Sequence, residues 1–208
     1  MRYDELKNKM NTGDLVLFEG EYPISKTIEK LERCPYSHVG MVIRVEGFDD
    51  PLFFESTTLT NLEDLVTDNP NKTVAGPKIV NLYERLKHYG EDVKPYVPPK
   101  FTYRPLLVDR VGLTDTLLIL HEKYYGIADP KETLMIWEVI LGRLFRIKAK
   151  KDNFFCSEWI ALAYQALELI NTKYPYNAYM PKDFTSLSKF LKLQKGWFEK
   201  EIPMTIDD

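Results

Sequence analysis

The chain has 208 residues and carries 28 Lys+Arg against 31 Asp+Glu, a formal charge of −3 with a pI near 5.7. This length suits one domain spanning residues 1–208, large enough to bury roughly 70% of its unfolded surface without a disulfide or a metal. A hydrophobic content of 44% excludes a wholly disordered chain, and the absence of a Lys/Arg block argues against nucleic-acid binding.

The first ten residues, Met1 to Met10, put charges where a secretory signal has its apolar stretch. No run reaches the ~18 apolar residues of an integral membrane span, so the expected location is cytoplasmic. Cys34 and Cys156 lack a CxxC or Cys/His ladder, so no disulfide framework, metal site or cofactor is indicated.

In chain order, Thr12-Gly13 followed by Asp14 to Phe18 reads as a turn and an opening strand. Ser25 to Arg33 reads as a short amphipathic helix stopped by Pro35, with Ile24, Ile28 and Leu31 on one face. Val39 to Val45 and Leu52 to Glu55, separated by a Gly/Asp/Pro cluster, read as a hairpin. Residues 60–100 are rich in Asn, Asp, Lys and Pro, with short elements such as Ile79 to Leu86, and are expected to form an irregular insertion or lid. Phe101 to Val108 reads as a further strand, and Thr114 to Tyr125 as a helix. Lys131 to Leu141 is apolar nearly all round, which predicts a buried helix. Cys156, Trp159, Ile160, Ala163, Leu167 and Ile170 line one face of a helix over 156–170, with Asp152-Asn153 as capping residues. An aromatic loop at Tyr174 to Tyr179 precedes a last helical patch at Leu187 to Leu191.

The candidate chemistry lies at Cys156. A thiol in the first turn of a helix faces unpaired N–H groups and the positive end of the dipole, which favour thiolate. The same amides suit the oxyanion of a tetrahedral intermediate. The alternative is inert packing, because cysteine is among the most buried residue types. Cys34 is the weaker nucleophile: it sits at a helix exit before Pro35, where the dipole is negative.

Of the three histidines, His88 and His121 read as surface residues. His38 opens the apolar run Ser37-His-Val-Gly-Met-Val42 and is the candidate general base, with a structural, hydrogen-bonded role as the alternative. Glu55 is its candidate partner, and their contact depends on hairpin register. A two-residue loop at Glu46-Gly47 sets them opposite, a four-residue loop makes them diagonal neighbours, and a loop through Pro51 separates them. Glu63, Asp64, Glu91 and Asp92 read as solvated surface, or as selectors of a basic substrate.

Taken together, Gly13 to Phe18, Ser37 to Val42, Phe53-Phe-Glu-Ser56, Phe154-Phe-Cys-Ser-Glu158 and Met180-Pro-Lys-Asp-Phe184 resemble the circularly permuted papain-like hydrolases of the NlpC superfamily, a group with bacterial and poxviral members. The order His, polar residue, Cys is that of the permuted enzymes. The resemblance implies an α+β fold with an antiparallel sheet packed on the cysteine helix. It makes Cys156 the nucleophile, His38 the base and Glu55 the residue that orients the imidazole, with Gly40 and Ser157 structural. The implied activity is cysteine-dependent hydrolysis, as an amidase, peptidase or esterase, of a small amino-acid-containing or acyl conjugate, without a cofactor. Two alternatives remain: a lipid-directed thiol acyltransferase, which would make lipid contact, and a catalytically silent binding module.

Overall fold

The computed structural model describes residues 1–20, 26, 29–30, 33–58, 62–67, 75–90, 99–127, 138–139, 141–149 and 154–206. Its centre is a six-stranded sheet built from β1 (Leu15–Glu19), β2 (His38–Ile43), β3 (Leu52–Thr57), β4 (Gly76–Asn81), β5 (Lys100–Arg104) and β8 (Ile202–Met204). The order is β4-β3-β2-β1-β5-β8, and every neighbouring pair is antiparallel. A small ribbon of β6 (Leu106–Leu107) and β7 (Trp197–Phe198) lies apart from it. With its helices, the molecule is an α+β fold.

Antiparallel sheets commonly wet one face, but here both faces are covered, which explains why the strands read as continuous apolar runs. Leu15, Leu17, Val39, Met41, Ile43, Leu52 and Phe54 share one core with α3 (Leu113–Tyr124) and α4 (Cys156–Ala166). Val16, Phe18, Val42, Phe53 and Val80 share the other with α1 (Tyr3–Leu6), α2 (Leu82–Lys87) and the C-terminal strand. The α4 helix lies against the first core through Trp159, whose indole stacks on Phe54 at 4.8 Å and 13°. Tyr164, further along α4, donates from its hydroxyl to the Gly13 carbonyl (2.7 Å), pinning the helix to the turn before β1.

Several elements differ from expectation. The segment expected as an insertion supplies β4, which pairs with β3 along its whole length, and α2, capped by Asn81. Pro77 is compatible with this because β4 is an edge strand, where a missing N–H need not break a ladder. The remaining stretches 59–61, 68–74 and 91–98 lie outside the described residues, as do most of the helices expected at 25–33 and 131–141. The strand expected over 101–108 is split at Pro105, where the Leu106 N–H turns to the Asp14 carboxylate at 2.8 Å. The cysteine helix stops at Ala166, since Glu168 takes left-handed backbone (φ 55°) and Ile170 pairs with Leu193 in a β-bridge. Residues 187–191 are turn and bend. There the Thr185 and Ser188 hydroxyls accept from the Leu187 and Phe190 N–H groups and compete with helix formation.

Gly40 is a packing glycine. A Cβ there would fall 2.1 Å from the Phe53 ring, which crosses β2 at that point. Gly40→Ala is therefore expected to destabilise the fold by about 1–3 kcal/mol through overpacking, read as a lower urea midpoint at unchanged slope.

Candidate active site

The β2–β3 register pairs Met41 with Phe54, Val42 with Phe53 and Ile43 with Leu52. Continued along the strands, it places Gly40 across from Glu55 and makes His38 the diagonal neighbour of Glu55, the intermediate of the three registers considered above. Alternation puts His38, Gly40, Val42, Phe53 and Glu55 on one face. The His38 Nε2 and Glu55 Oε2 atoms are 2.6 Å apart.

Cys156 stands at the first residue of α4, near enough to His38 for its sulfur to act on the titration of the imidazole. With Nε2 taken by Glu55, Nδ1 is the ring nitrogen left for the sulfur. The tautomer that serves both partners carries its proton on Nε2 and donates it to Glu55, leaving Nδ1 to accept from the thiol. Cys156 is half-buried. At the α4 start, the Phe155 N–H donates to the Glu158 carboxylate. The N–H groups of Cys156 and Ser157 lie in the first turn of α4, the position in a helix whose donors suit an oxyanion.

The turn carrying Cys156 is fixed from two sides. Ser56 Oγ donates to the Phe154 carbonyl (2.7 Å), and Ser157 Oγ donates to the Tyr179 carbonyl (3.0 Å). Phe154, fully buried, packs on Trp159, Tyr124 and Tyr176.

A residue not foreseen from sequence completes the chain. Arg85 Nε donates to Glu55 Oε1 at 2.6 Å, with both side chains almost wholly buried. Its guanidinium carbon lies 5.2 Å from the Phe18 ring centre and 5.0 Å from that of Tyr89. The Phe18 ring also meets the His38 imidazole edge-on at 5.2 Å. Arg85 did carry a signal: it falls three residues after Leu82 and beside Leu86, a cation on the apolar face of a short helix.

These contacts dominate the titration of the site. Burial works against the Glu55 carboxylate, yet Arg85 and then His38 reverse that and hold it down at about 2. Burial likewise opposes the His38 imidazolium. The negative charge and hydrogen bond of the Cys156 sulfur, followed by Glu55, overcome it and hold His38 up at about 9. Lys78, across the strand pair from Glu55, has its amine lowered by burial.

The other titratable candidates lie elsewhere. His121 is buried, and its Nε2 lies 2.7 Å from Asp64 Oδ2. Asp64 also accepts from the N–H groups of Val66, Thr67 and Ile79, so neither residue is the solvated group expected of it. Together they tie the segment before β4 to α3. Burial presses the Asp64 carboxyl upward, but His121 and the backbone donors hold it below the usual range. His88 pairs with Glu84 one helical turn away at 3.0 Å. Glu63 is exposed, Glu91 and Asp92 lie outside the described residues, and Cys34 is buried. Among the described residues no three His, Cys, Asp or Glu side chains are grouped to hold a metal ion, and no helix is long and apolar enough to cross a membrane.

No family model and no curated protein matches the chain. Among solved structures, a neighbour is the metalloprotein yiiX from Escherichia coli O157:H7 (DUF1105). It aligns over 79% of this chain and 74% of its own at 19% identity and a TM-score of 0.48. That likeness is too slight to assign a fold family or a role.

Proposed function

We propose that the chain is a cysteine hydrolase with a permuted papain-like arrangement, in which Cys156 attacks the carbonyl of an amide or ester. The observation that carries this reading is the pairing of the His38 imidazole with the buried Glu55 carboxylate at 2.6 Å, with Cys156 beside that imidazole in the first turn of an eleven-residue helix. His38 takes the thiol proton and returns it to the leaving amine or alcohol. Glu55 keeps the ring oriented and stabilises the imidazolium. The first-turn amides meet the oxyanion. Water, deprotonated by the same imidazole, then releases the acyl group from sulfur. The substrate class is a small amino-acid-containing or acyl conjugate.

The test is exposure of the protein to a panel of activated esters and peptide amides, followed by intact-mass and peptide mapping. An acyl adduct on Cys156 and turnover abolished in Cys156→Ala are expected. Full turnover by Cys156→Ala would overturn the reading.

One observation favours a second reading, transfer of the acyl group between lipids. Leu144, Phe145 and Ile147 are exposed and interleaved with the exposed cations Arg146 and Lys148, a composition that suits an anionic bilayer surface. Sedimentation with anionic vesicles, and product analysis showing transfer in preference to hydrolysis, would select it.

A further inference from the structure

The proposed chemistry asks His38 to exchange a proton with Cys156 while Glu55 stays ionised beside it, and the inference drawn now rests on that reading. We propose that Arg85 is a positioning residue of the reaction centre, its guanidinium balancing the Glu55 charge so that the His38 proton remains available to the Cys156 sulfur.

The argument is one of counting charges in a buried space. With Arg85 present, Arg85 and Glu55 form a neutral pair at 2.6 Å. Thiol ionisation then only moves one proton, breaking the S–H bond of Cys156 and forming an N–H bond at Nδ1 of His38, with no change in net charge. With Arg85 removed, the Glu55 carboxylate has the imidazolium as its hydrogen-bonded counter-ion. The proton is then claimed by the Glu55–His38 pair, and ionising the thiol adds a second, uncompensated anion, which burial penalises.

Position agrees with this role. Phe18 and Tyr89 flank the guanidinium, and because Phe18 also touches the imidazole, the cation and the base share one wall. Among the described residues, the charged or titratable groups facing Glu55 are His38 on β2, Lys78 on β4 and Arg85 on α2, and Cys156 on α4 acts on His38. Lys78 is a poor substitute: a buried amine loses its proton more readily than a guanidinium does and cannot match its fork geometry.

The experiment follows the rate of iodoacetamide alkylation at Cys156 against pH, resolved from Cys34 by peptide mapping, and needs no substrate. In the parent protein the midpoint is expected well below the ~8.5 of a free thiol. Arg85→Met is expected to raise that midpoint by about one pH unit, so that alkylation on the acid limb slows roughly tenfold, and Arg85→Lys to recover most of the shift. If Arg85→Met distorts the fold through its orphaned carboxylate, the Glu55→Gln/Arg85→Met pair removes both charges. Against Glu55→Gln alone, that double variant is expected to show no further shift. An unchanged midpoint in Arg85→Met with the parent value depressed overturns the role of Arg85 alone, as does an additional shift in the double variant. A parent midpoint equal to that of a free thiol overturns the hydrolase reading itself.

Discussion

Replacing His38 by alanine is expected to slow acylation of Cys156 by an activated ester about 10²- to 10⁴-fold, the range over which a positioned general base contributes. The sulfur remains at the start of α4 in this variant, so whatever the helix amides supply is retained, and the loss reports the base. The contact with Phe18 fixes one side of the imidazole and the bond to Glu55 the other, so the ring is aimed before any substrate arrives. Burst amplitude and rate in stopped flow are the measurement. A His38→Ala rate within roughly threefold of the parent would mean that the imidazole has only a structural part, well short of the expected base contribution.

Glu55→Ala is expected to produce the largest loss of stability of any single change at the site, about 3–5 kcal/mol, because it strips the counter-ion from a buried guanidinium. Glu55→Gln keeps the shape and one acceptor and is expected to cost less. The effect has a defined pH window. Glu55 titrates lower in the fold than its ordinary 4.5, so its contribution is complete above that value and is lost as pH falls through about 2. His38 titrates higher than its ordinary 6.5, so its contribution is complete below that value and is lost as pH rises through about 9. The difference between parent and Glu55→Ala is therefore greatest between the two ordinary values and narrows towards both extremes. Urea melts in acid, mildly acidic and alkaline buffer measure it. A difference that does not vary with pH would show that the carboxylate acts through packing alone.

The sequence made the local parts of this arrangement legible and left the long-range parts hidden. Period-three-and-four spacing from Cys156 marked α4, and apolar runs of β-branched and aromatic residues around a Gly/Asp/Pro cluster marked β2 and β3, because each is a property of neighbouring residues. The contact between His38 and Glu55 was readable only as a choice among registers, since a shift of one residue in either strand changes which side chains meet. Arg85, and the burial of Asp64 against His121, depend on β4 joining the sheet. Nothing in a Pro- and Asn-rich stretch announces that pairing, which is a decision of the tertiary fold. Charged residues there read as solvated because that is what charge usually means, and the partners that make burial affordable lie 30 and 57 positions away.

Glu55 and Ser56 are consecutive residues of β3 and therefore emerge on opposite sides of the sheet, one gripping the imidazole and the other the Phe154 carbonyl two residues ahead of Cys156. A single peptide unit thus acts as the calliper that sets the gap between base and sulfur. A slip of β3 by one residue would exchange the two grips and dismantle both together. On the proposed reading, competence at this centre is expected to vanish with amide-exchange protection of β3 and to persist while that protection lasts.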